Sequence, residues 1–464
     1  MTINATDATE EFRRRPPAPL PVRPLNLPEP AETALANGLR VVVVEQRRLP
    51  LVSFRLAFRS GDSSDPSDLP GLTDVMTDML VEGTESRTSR QIAEEVARYG
   101  ATLSAGASSD YLTVAASSLA AYAGEVLELL ADVTLRPVFP ESELALAKAN
   151  AQQNLIAQRA QPSFLAGEAV ARVLFGQHPY AVVASTPEGI EALSRERIVR
   201  HHRRLLVPNN AVLLVVGDVD RGRVVEQVER LFGGWAQGEV AALEFPAPPR
   251  RDERVAYLVD RPGSAQTNIL VANTAIRRTN PDYFPVLVMH TILGGNASAR
   301  LFMNLREEKG YTYGAYTQLD ARRLAGSFRA TTEVRGEVTG ASLKEILYEL
   351  ERVRDEDVSD KELSDAKTYL TGIFPIRLET QEGLVDQLAQ IRVHDLAPDY
   401  LETYRENIQR VTKEDVRRVA RRVVTPGRAA VVVVGDGAQI RGQVAPYVAR
   451  VEDFVGARGG AAGA

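Results

Sequence analysis

Hydrophobic and polar positions along the chain switch between two periods, and the switches mark the elements. Leu51-Val-Ser-Phe-Arg-Leu-Ala-Phe58 alternates residue by residue, the pattern of a strand, and Leu39-Arg-Val-Val-Val-Val-Glu45 is a β-branched strand run. Ile92, Val96 and Tyr99 fall on one helical stripe within Ser89–Tyr99, which Gly100 stops. Leu72, Val75, Met76, Met79 and Leu80 make a second stripe, predicting an amphipathic helix within Gly71–Thr84 that closes at Gly83. Tyr111–Ala116 reads as a strand followed by a helix near Ala121–Val133. The theme returns later, with Ile269–Ala272 a strand and Leu343–Val353 a helix. Two α+β domains follow, each a sheet with helices packed on one face.

The chain also repeats itself. Val207-Pro-Asn-Asn-Ala-Val-Leu-Leu-Val-Val-Gly-Asp218 and Val424-Thr-Pro-Gly-Arg-Ala-Ala-Val-Val-Val-Val-Gly-Asp436 share a Pro turn, a β-branched run and a terminal Gly-Asp. Between the copies, Phe245-Pro-Ala-Pro-Pro-Arg-Arg-Asp-Glu253 fixes φ at three prolines and removes three backbone donors, so it reads as a linker. The expected organisation is a Pro-rich extended tether over 1–30, a first domain over 31–243, a linker over 244–253, a second domain over 254–456 and a Gly/Ala tail over 457–464.

Composition narrows the classes. The 464 residues carry 55 basic and 61 acidic side chains, a net charge of −6, which disfavours general binding to nucleic acid or to an anionic membrane. No apolar run approaches a membrane helix. The start of the chain lacks the basic and apolar regions of a signal peptide, giving a cytoplasmic expectation, or a periplasmic one if a leader has been removed. With no cysteine, thiolate chemistry is absent. The five histidines, His178, His201, His202, His290 and His394, include no pair at i, i+4 spacing, so a His-rich zinc helix is not expected. The basic runs His201–Arg204 and Arg417–Arg422 read as solvated helix faces.

Asp74 and Asp78 sit one helical turn apart with Thr77 beside them. By themselves they read as a solvated helix edge; the sharper alternative is a hard-cation site, which needs around six oxygen ligands that this segment cannot supply alone. The surrounding frame, Gly-Leu followed by Met-Leu and Gly-Thr, resembles the segment that carries H-x-x-E-H in the inverzincins, the pitrilysin-type zinc peptidases. In that motif two histidines bind zinc and the glutamate is the general base. The resemblance maps those places onto Asp74, Thr77 and Asp78. It maps the later third ligand, on a helix opened by Phe139-Pro-Glu141, onto Asn154 of Gln152-Gln-Asn154. Threonine is no base near neutral pH and two aspartates are a poor zinc pair, so all the metal positions are degenerate together.

Other family landmarks persist: His178-Pro-Tyr180, Thr186-Pro-Glu188, Pro208-Asn-Asn210 and Asp260-Arg-Pro-Gly-Ser-Ala-Gln266. His178, before a proline and without partner ligands, reads as a turn residue. The stretch Leu293-Gly-Gly-Asn-Ala-Ser-Ala-Arg-Leu-Phe-Met-Asn-Leu-Arg-Glu-Glu-Lys-Gly-Tyr-Thr-Tyr313 resembles the family's second-domain signature. Taken alone, Arg306 could pair with Glu307 or Glu308 and Tyr313 could be a half-buried strand residue. Leu301, Met303 and Leu305 could be packing positions, and Gly294 and Gly295 permit close backbone approach. The resemblance makes Arg306 and Tyr313 a substrate-contacting pair, with Gly294 and Gly295 in the same binding segment.

The resemblance implies mixed, mainly antiparallel sheets in two homologous domains facing each other across a chamber. It implies a non-catalytic subunit that contacts peptide substrates, with no cofactor of its own, and a homologous partner subunit that carries an intact zinc motif. The pair would be a zinc metalloendopeptidase acting on unfolded peptides. Nucleic-acid binding and membrane insertion are not expected. Two rivals stand beside it: a structural scaffold like the core subunits of the respiratory bc1 complex, and a stand-alone peptide-holding module.

Overall fold

The computed structural model describes residues 25–240 and 244–455. The expected tether lies largely outside these residues and the tail over 457–464 wholly outside them. The first half of the chain contributes β1 (Ala31–Ala34), β2 (Arg40–Glu45), β3 (Leu51–Phe58), β4 (Thr102–Ala107), β5 (Leu112–Leu119) and β6 (Ala211–Gly217). They form one sheet in the order β1-β2-β6-β3-β5-β4. The second half contributes β7 (Val255–Asp260), β8 (Gln266–Ala275), β9 (Thr312–Ala321), β10 (Gly326–Arg335), β11 (Ala430–Gly435) and β12 (Arg450–Asp453), in the order β12-β7-β11-β8-β10-β9.

Apart from the edge strands β1 and β12, the two orders are the same. In each, one pair of the five shared strands is parallel, β2 with β6 and β7 with β11, and the other shared pairs are antiparallel; of the added edge strands, β1 is antiparallel to β2 and β12 parallel to β7. The two repeated Val-rich segments are therefore the same strand of one topology used twice. Both sheets are mixed and mainly antiparallel, as the resemblance implied.

The continuous Val runs have a physical cause in this arrangement. On β2, Val41 and Val43 enter the core formed with the first half's own helices, among them Ala123–Leu135. Val42 and Val44 face the other way, into a cluster with Val212, Leu214 and Val216 of β6. That second face is covered by the helix Gln381–Val393 of the second half, through Leu384, Val385, Leu388 and Ile391. The exchange is reciprocal. The helix Pro162–Phe175 of the first half sets Ala166, Ala169, Val170 and Leu174 against Leu270 and Ala272 of β8 and Val432 and Val434 of β11. Each sheet thus carries its own helices on one face and one helix of the other half on the opposite face. Strands buried on both faces read as unbroken apolar runs.

A polar buckle joins the halves as well. The fully buried Tyr180 donates its phenol hydrogen to Asp110 Oδ1. Asp110 Oδ2 accepts the backbone N–H of Arg323 at 2.8 Å, and the N–H of Leu324 donates to the Tyr180 oxygen at 3.2 Å. The Pro-rich stretch after Phe245 lies against the end of the Pro162–Phe175 helix, where Arg251 donates to the carbonyl of Val173 at 3.0 Å. Among the described residues no helix is long and apolar enough to cross a membrane.

Candidate functional site

The helix that carries the altered motif is shorter than the periodicity predicts. It runs Leu72–Asp78 and tightens into a 3₁₀ turn over Met79–Val81. All five stripe residues remain buried. Asp65 organises the start: its Oδ2 accepts the N–H of Gly71 at 2.8 Å and its Oδ1 that of Thr73 at 2.9 Å, two donors that the first turn leaves free. Gly71 has φ +87° and a Cβ there would meet Ser185 Oγ at 1.8 Å, so the approach requires glycine. His201 Nε2, 2.8 Å from Thr73 Oγ1, fixes the same turn from behind.

This anchoring turns Asp74 and Asp78 outward. Together with Asn154 they line an open cavity of about 350 Å³, with Glu82 and Glu143 also in its wall. Three of the four positions of the family motif, the places of the zinc ligands, are therefore brought together. Thr77 is not: it is buried, and its hydroxyl donates to the carbonyl of Asp74 at 2.8 Å. Asp74 also borders a second cavity of about 550 Å³, walled by Asp62, Asp65, His178 and Phe245. The spacing along the chain did not reveal Asp62 and Asp65; the acidic, Ser-rich loop before Pro66 is the one signal that could have done so.

Crowding of carboxyl groups shapes the electrostatics. Burial, then the charges of Asp62, Asp65 and Asp78, push the Asp74 carboxyl up to about 7. Burial and Asp65 push Asp62 up to about 6, and burial with Glu82 raises Asp78. Asp74 and Asp78 keep an exposed outer side, so water tempers the cost while the upward direction stands. Two carboxyls and a carboxamide, with no imidazole and with the place of the base turned inward, do not fit the nitrogen-rich set and general base of a zinc peptidase. Among the described residues, no group of three or more His, Asp or Glu side chains is arranged to hold a metal ion.

The histidines are absorbed by packing. His178 Nδ1 accepts the N–H of Tyr180 at 3.2 Å inside a cluster of Phe175, Tyr180 and Phe245 rings, a turn residue as expected. His202 Nε2 lies 2.8 Å from the carbonyl of Thr134, and burial holds the ring down at about 4. His290 Nδ1 meets Thr317 Oγ1 at 2.7 Å and is likewise held at about 4 by burial. His394 packs edge-on to Tyr111. Of the second basic run, Arg418 and Arg422 bind Asp282 at 2.7 and 2.8 Å and Arg417 binds Asp357 at 3.0 Å, all on a helix face.

Arg306 and Tyr313 stand apart from that cavity, whose walls are all first-half residues. Arg306 lies in a wide π-helical turn, Met303–Glu308, and Tyr313 is the second residue of the edge strand β9. The backbone between them is closed by the N–H of Gly310 on the carbonyl of Arg306 (3.2 Å) and that of Tyr311 on Leu305 (2.9 Å). Tyr313 is 90% exposed, so the half-buried strand position is not what the fold provides. Arg306 is partly exposed, its Nε 3.5 Å from Glu307 and its guanidinium over the Phe302 ring at 4.8 Å. Leu301 and Leu305 are core residues, whereas Met303 is exposed. Gly294 has a packing role: a Cβ would stand 2.5 Å from the Thr317 nitrogen of β9, and Gly295 ends the helix Tyr283–Gly294.

Known proteins match both halves in order. Residues 40–187 match the sequence profile described as insulinase, peptidase family M16, and residues 192–370 the one described as the peptidase M16 inactive domain. The chain is 24% identical over 397 residues to an uncharacterized zinc protease of Streptomyces coelicolor, covering 84% of this chain and 86% of the relative. It is 21% identical over 377 residues to a non-peptidase homologue of Helicobacter pylori, with 81% and 87% covered. The crystal structure of a peptidase M16 inactive domain from Pseudomonas fluorescens superposes with a TM-score of 0.81 at 27% identity, covering 88% of this chain and 98% of that one. A protease from Helicobacter pylori, 20% identical, shares the fold with a TM-score of 0.82 over 88% of this chain and all of its own. With both halves matched in sequence and the repeated topology matched in space, the chain belongs to peptidase family M16.

Proposed function

We propose that this chain is the non-catalytic, substrate-contacting subunit of a heteromeric zinc metalloendopeptidase that degrades or processes unfolded peptides. Zinc is supplied by a homologous subunit with an intact motif. The carrying observation is Tyr313, a 90% exposed phenol placed just after Arg306 on the rim of the second sheet. A phenol and a guanidinium held out in this way can donate to a peptide carbonyl and to the oxyanion that forms from it. The first half lacks the ligands and the base to perform hydrolysis itself, so the pair has use only opposite another subunit's metal. Two facing subunits would enclose a chamber, and the edge strands β4 and β9 offer open backbone for an extended peptide.

Co-expression with a zinc-bearing homologue tests the reading. A pair with chelator-sensitive peptide hydrolysis, and this chain inert alone, is the expected result. Full activity of the zinc-bearing chain by itself would leave this chain a scaffold.

A further inference from the structure

Counted from its neighbours, Tyr313 stands on the wrong face of its strand. On β9 the side chains of Ala315 and Thr317 are buried, 1% and 6% exposed, opposite Thr332 and Ala330 of β10. With a strand period of two, position 313 falls on that same covered face. The register shows why Tyr313 is not there. Ala315 pairs with Thr332 and Thr312 with the buried Val334, so both take core-facing places although they are an odd number of residues apart. Between them Tyr313 and Gly314 stand opposite the single residue Glu333. The extra residue is a β-bulge, and it moves Tyr313 to the side of Glu333 and Tyr316, both exposed.

Two hydroxyls hold the bulge. The N–H of Gly314 donates to Thr312 Oγ1 at 3.1 Å, and the Gly314 carbonyl accepts the hydroxyl of Thr332 at 2.9 Å. Thr312 Oγ1 in turn donates to the carbonyl of Glu333 at 2.6 Å. Backbone groups that a regular ladder would satisfy across the strands are thus satisfied by side chains, and the bulge leaves none of these three bare. Gly314 also leaves room for the Tyr316 ring, which a Cβ would meet at 2.6 Å.

We infer that Thr312 and Thr332 are positioning residues for Tyr313, their hydroxyls holding the bulge that aims the phenol outward. Without the hydroxyls, the Gly314 N–H and carbonyl are free to pair with Glu333 in a regular register. That slip turns Tyr313 toward the covered face or leaves it with no fixed direction. A reacting group misplaced by about 1 Å can cost about 10² in rate, so a bond two residues from the phenol reaches the chemistry. The use of the device rests on the substrate-contacting reading of Tyr313; its geometry does not.

Thr312→Val and Thr332→Val, singly and together, remove the hydroxyls while keeping β-branched side chains that suit a strand. Nitration of the full chain by tetranitromethane, followed residue by residue by mass spectrometry, reads the aim of Tyr313. Tyr348, half exposed on the helix Thr339–Asp355, serves as the internal reference. Nitration of Tyr313 is expected to slow several-fold in the Val variants relative to Tyr348 and to return in Thr312→Ser and Thr332→Ser, which keep the hydroxyl. In the pair reconstituted with a zinc-bearing homologue, the Val variants are expected to lower kcat about tenfold or more with little change in KM, and the Ser variants to restore it. If Thr332→Val does not fold, Thr312→Val, at a partly exposed position, reads the same device. Unchanged nitration of Tyr313 overturns the inference whatever the turnover. So does intact turnover in the Val variants when Tyr313→Phe cripples the pair. Slowed nitration with full turnover in both the Val variants and Tyr313→Phe upholds the hold on Tyr313 and places the failure in the reading of Tyr313 itself.

Discussion

The phenol of Tyr180 is hydrogen-bonded to Asp110 in the interior, and the same carboxylate takes a backbone N–H from Arg323 of the other half. Burial and the Asp110 charge hold the phenol's ionisation far above its usual range, so it remains a donor at any physiological pH. The His-Pro-Tyr landmark of the family is therefore a joint between halves. Tyr180→Phe should lower stability by about 1.5–3 kcal/mol, the usual weight of a buried hydrogen bond to a charge. Urea denaturation checks it; a loss below about 0.5 kcal/mol would mean that the joint is ornamental.

The metal frame predicts an inert chain. Purified alone, it should hold no stoichiometric zinc, as read by elemental analysis, and cleave no peptide. Asp74→His, Thr77→Glu and Asp78→His together should still give little activity. The structure strengthens the reason: position 77 is buried and bonded to the Asp74 carbonyl, so a glutamate there overpacks the helix as well as lacking the third ligand at Asn154. Adding Asn154→Glu supplies that ligand and is the first step at which zinc should be retained. Full activity from the triple change alone would show the third-ligand position to be wrongly assigned.

The carboxyl cluster makes stability depend on pH. Asp74, at about 7 in the folded chain against an ordinary 3.8, holds its proton where the unfolded chain has already lost it. The stability associated with that proton is fully present below about pH 3.8 and is lost as pH rises toward about 7. Asp74→Asn removes the titration. The variant should gain on the native chain between about pH 4 and 7, modestly because water reaches the outer side of the carboxyl. Urea midpoints at several pH values check this, and a constant gap would refute it.

Arg306 and Tyr313 give the sharpest contrast. In the reconstituted pair, Arg306→Ala or Tyr313→Phe should lower turnover by about 10²–10³, or about 2.7–4 kcal/mol, the cost of one oxyanion donor. Loss of the loose Arg306–Glu307 pair alone would change stability by about 0–1 kcal/mol and leave turnover intact. Steady-state cleavage with gel filtration to confirm assembly separates the two, and near-native turnover in both variants removes the pair from the mechanism.

Much of the architecture was legible because burial imprints a period. The alternation of Leu51–Phe58 and the stripe ending at Gly100 lie where the strand β3 and the helix Ser89–Arg98 are found. What the pattern could not carry was the identity of the covering surface. An apolar stripe on Pro162–Phe175 says that a face is buried, not that it is buried against β8 and β11 of the other half. The site divided in the same way. Asp74, Asp78 and Asn154 were found through a frame of residue types, whereas Asp62 and Asp65 reach Asp74 by the path of a loop that no period describes.

The exchanged helices make the two halves of this chain mutual prerequisites. A break within residues 244–253 would remove the covalent link but not the reason for association. Each fragment would be left with a row of valines, Val42 and Val44 on one and Val432 and Val434 on the other, stripped of its cover. Such fragments would find each other, or aggregate through those faces, before either behaved as an independent protein. Duplication supplied two copies of one topology; the swap removed the option of keeping only one.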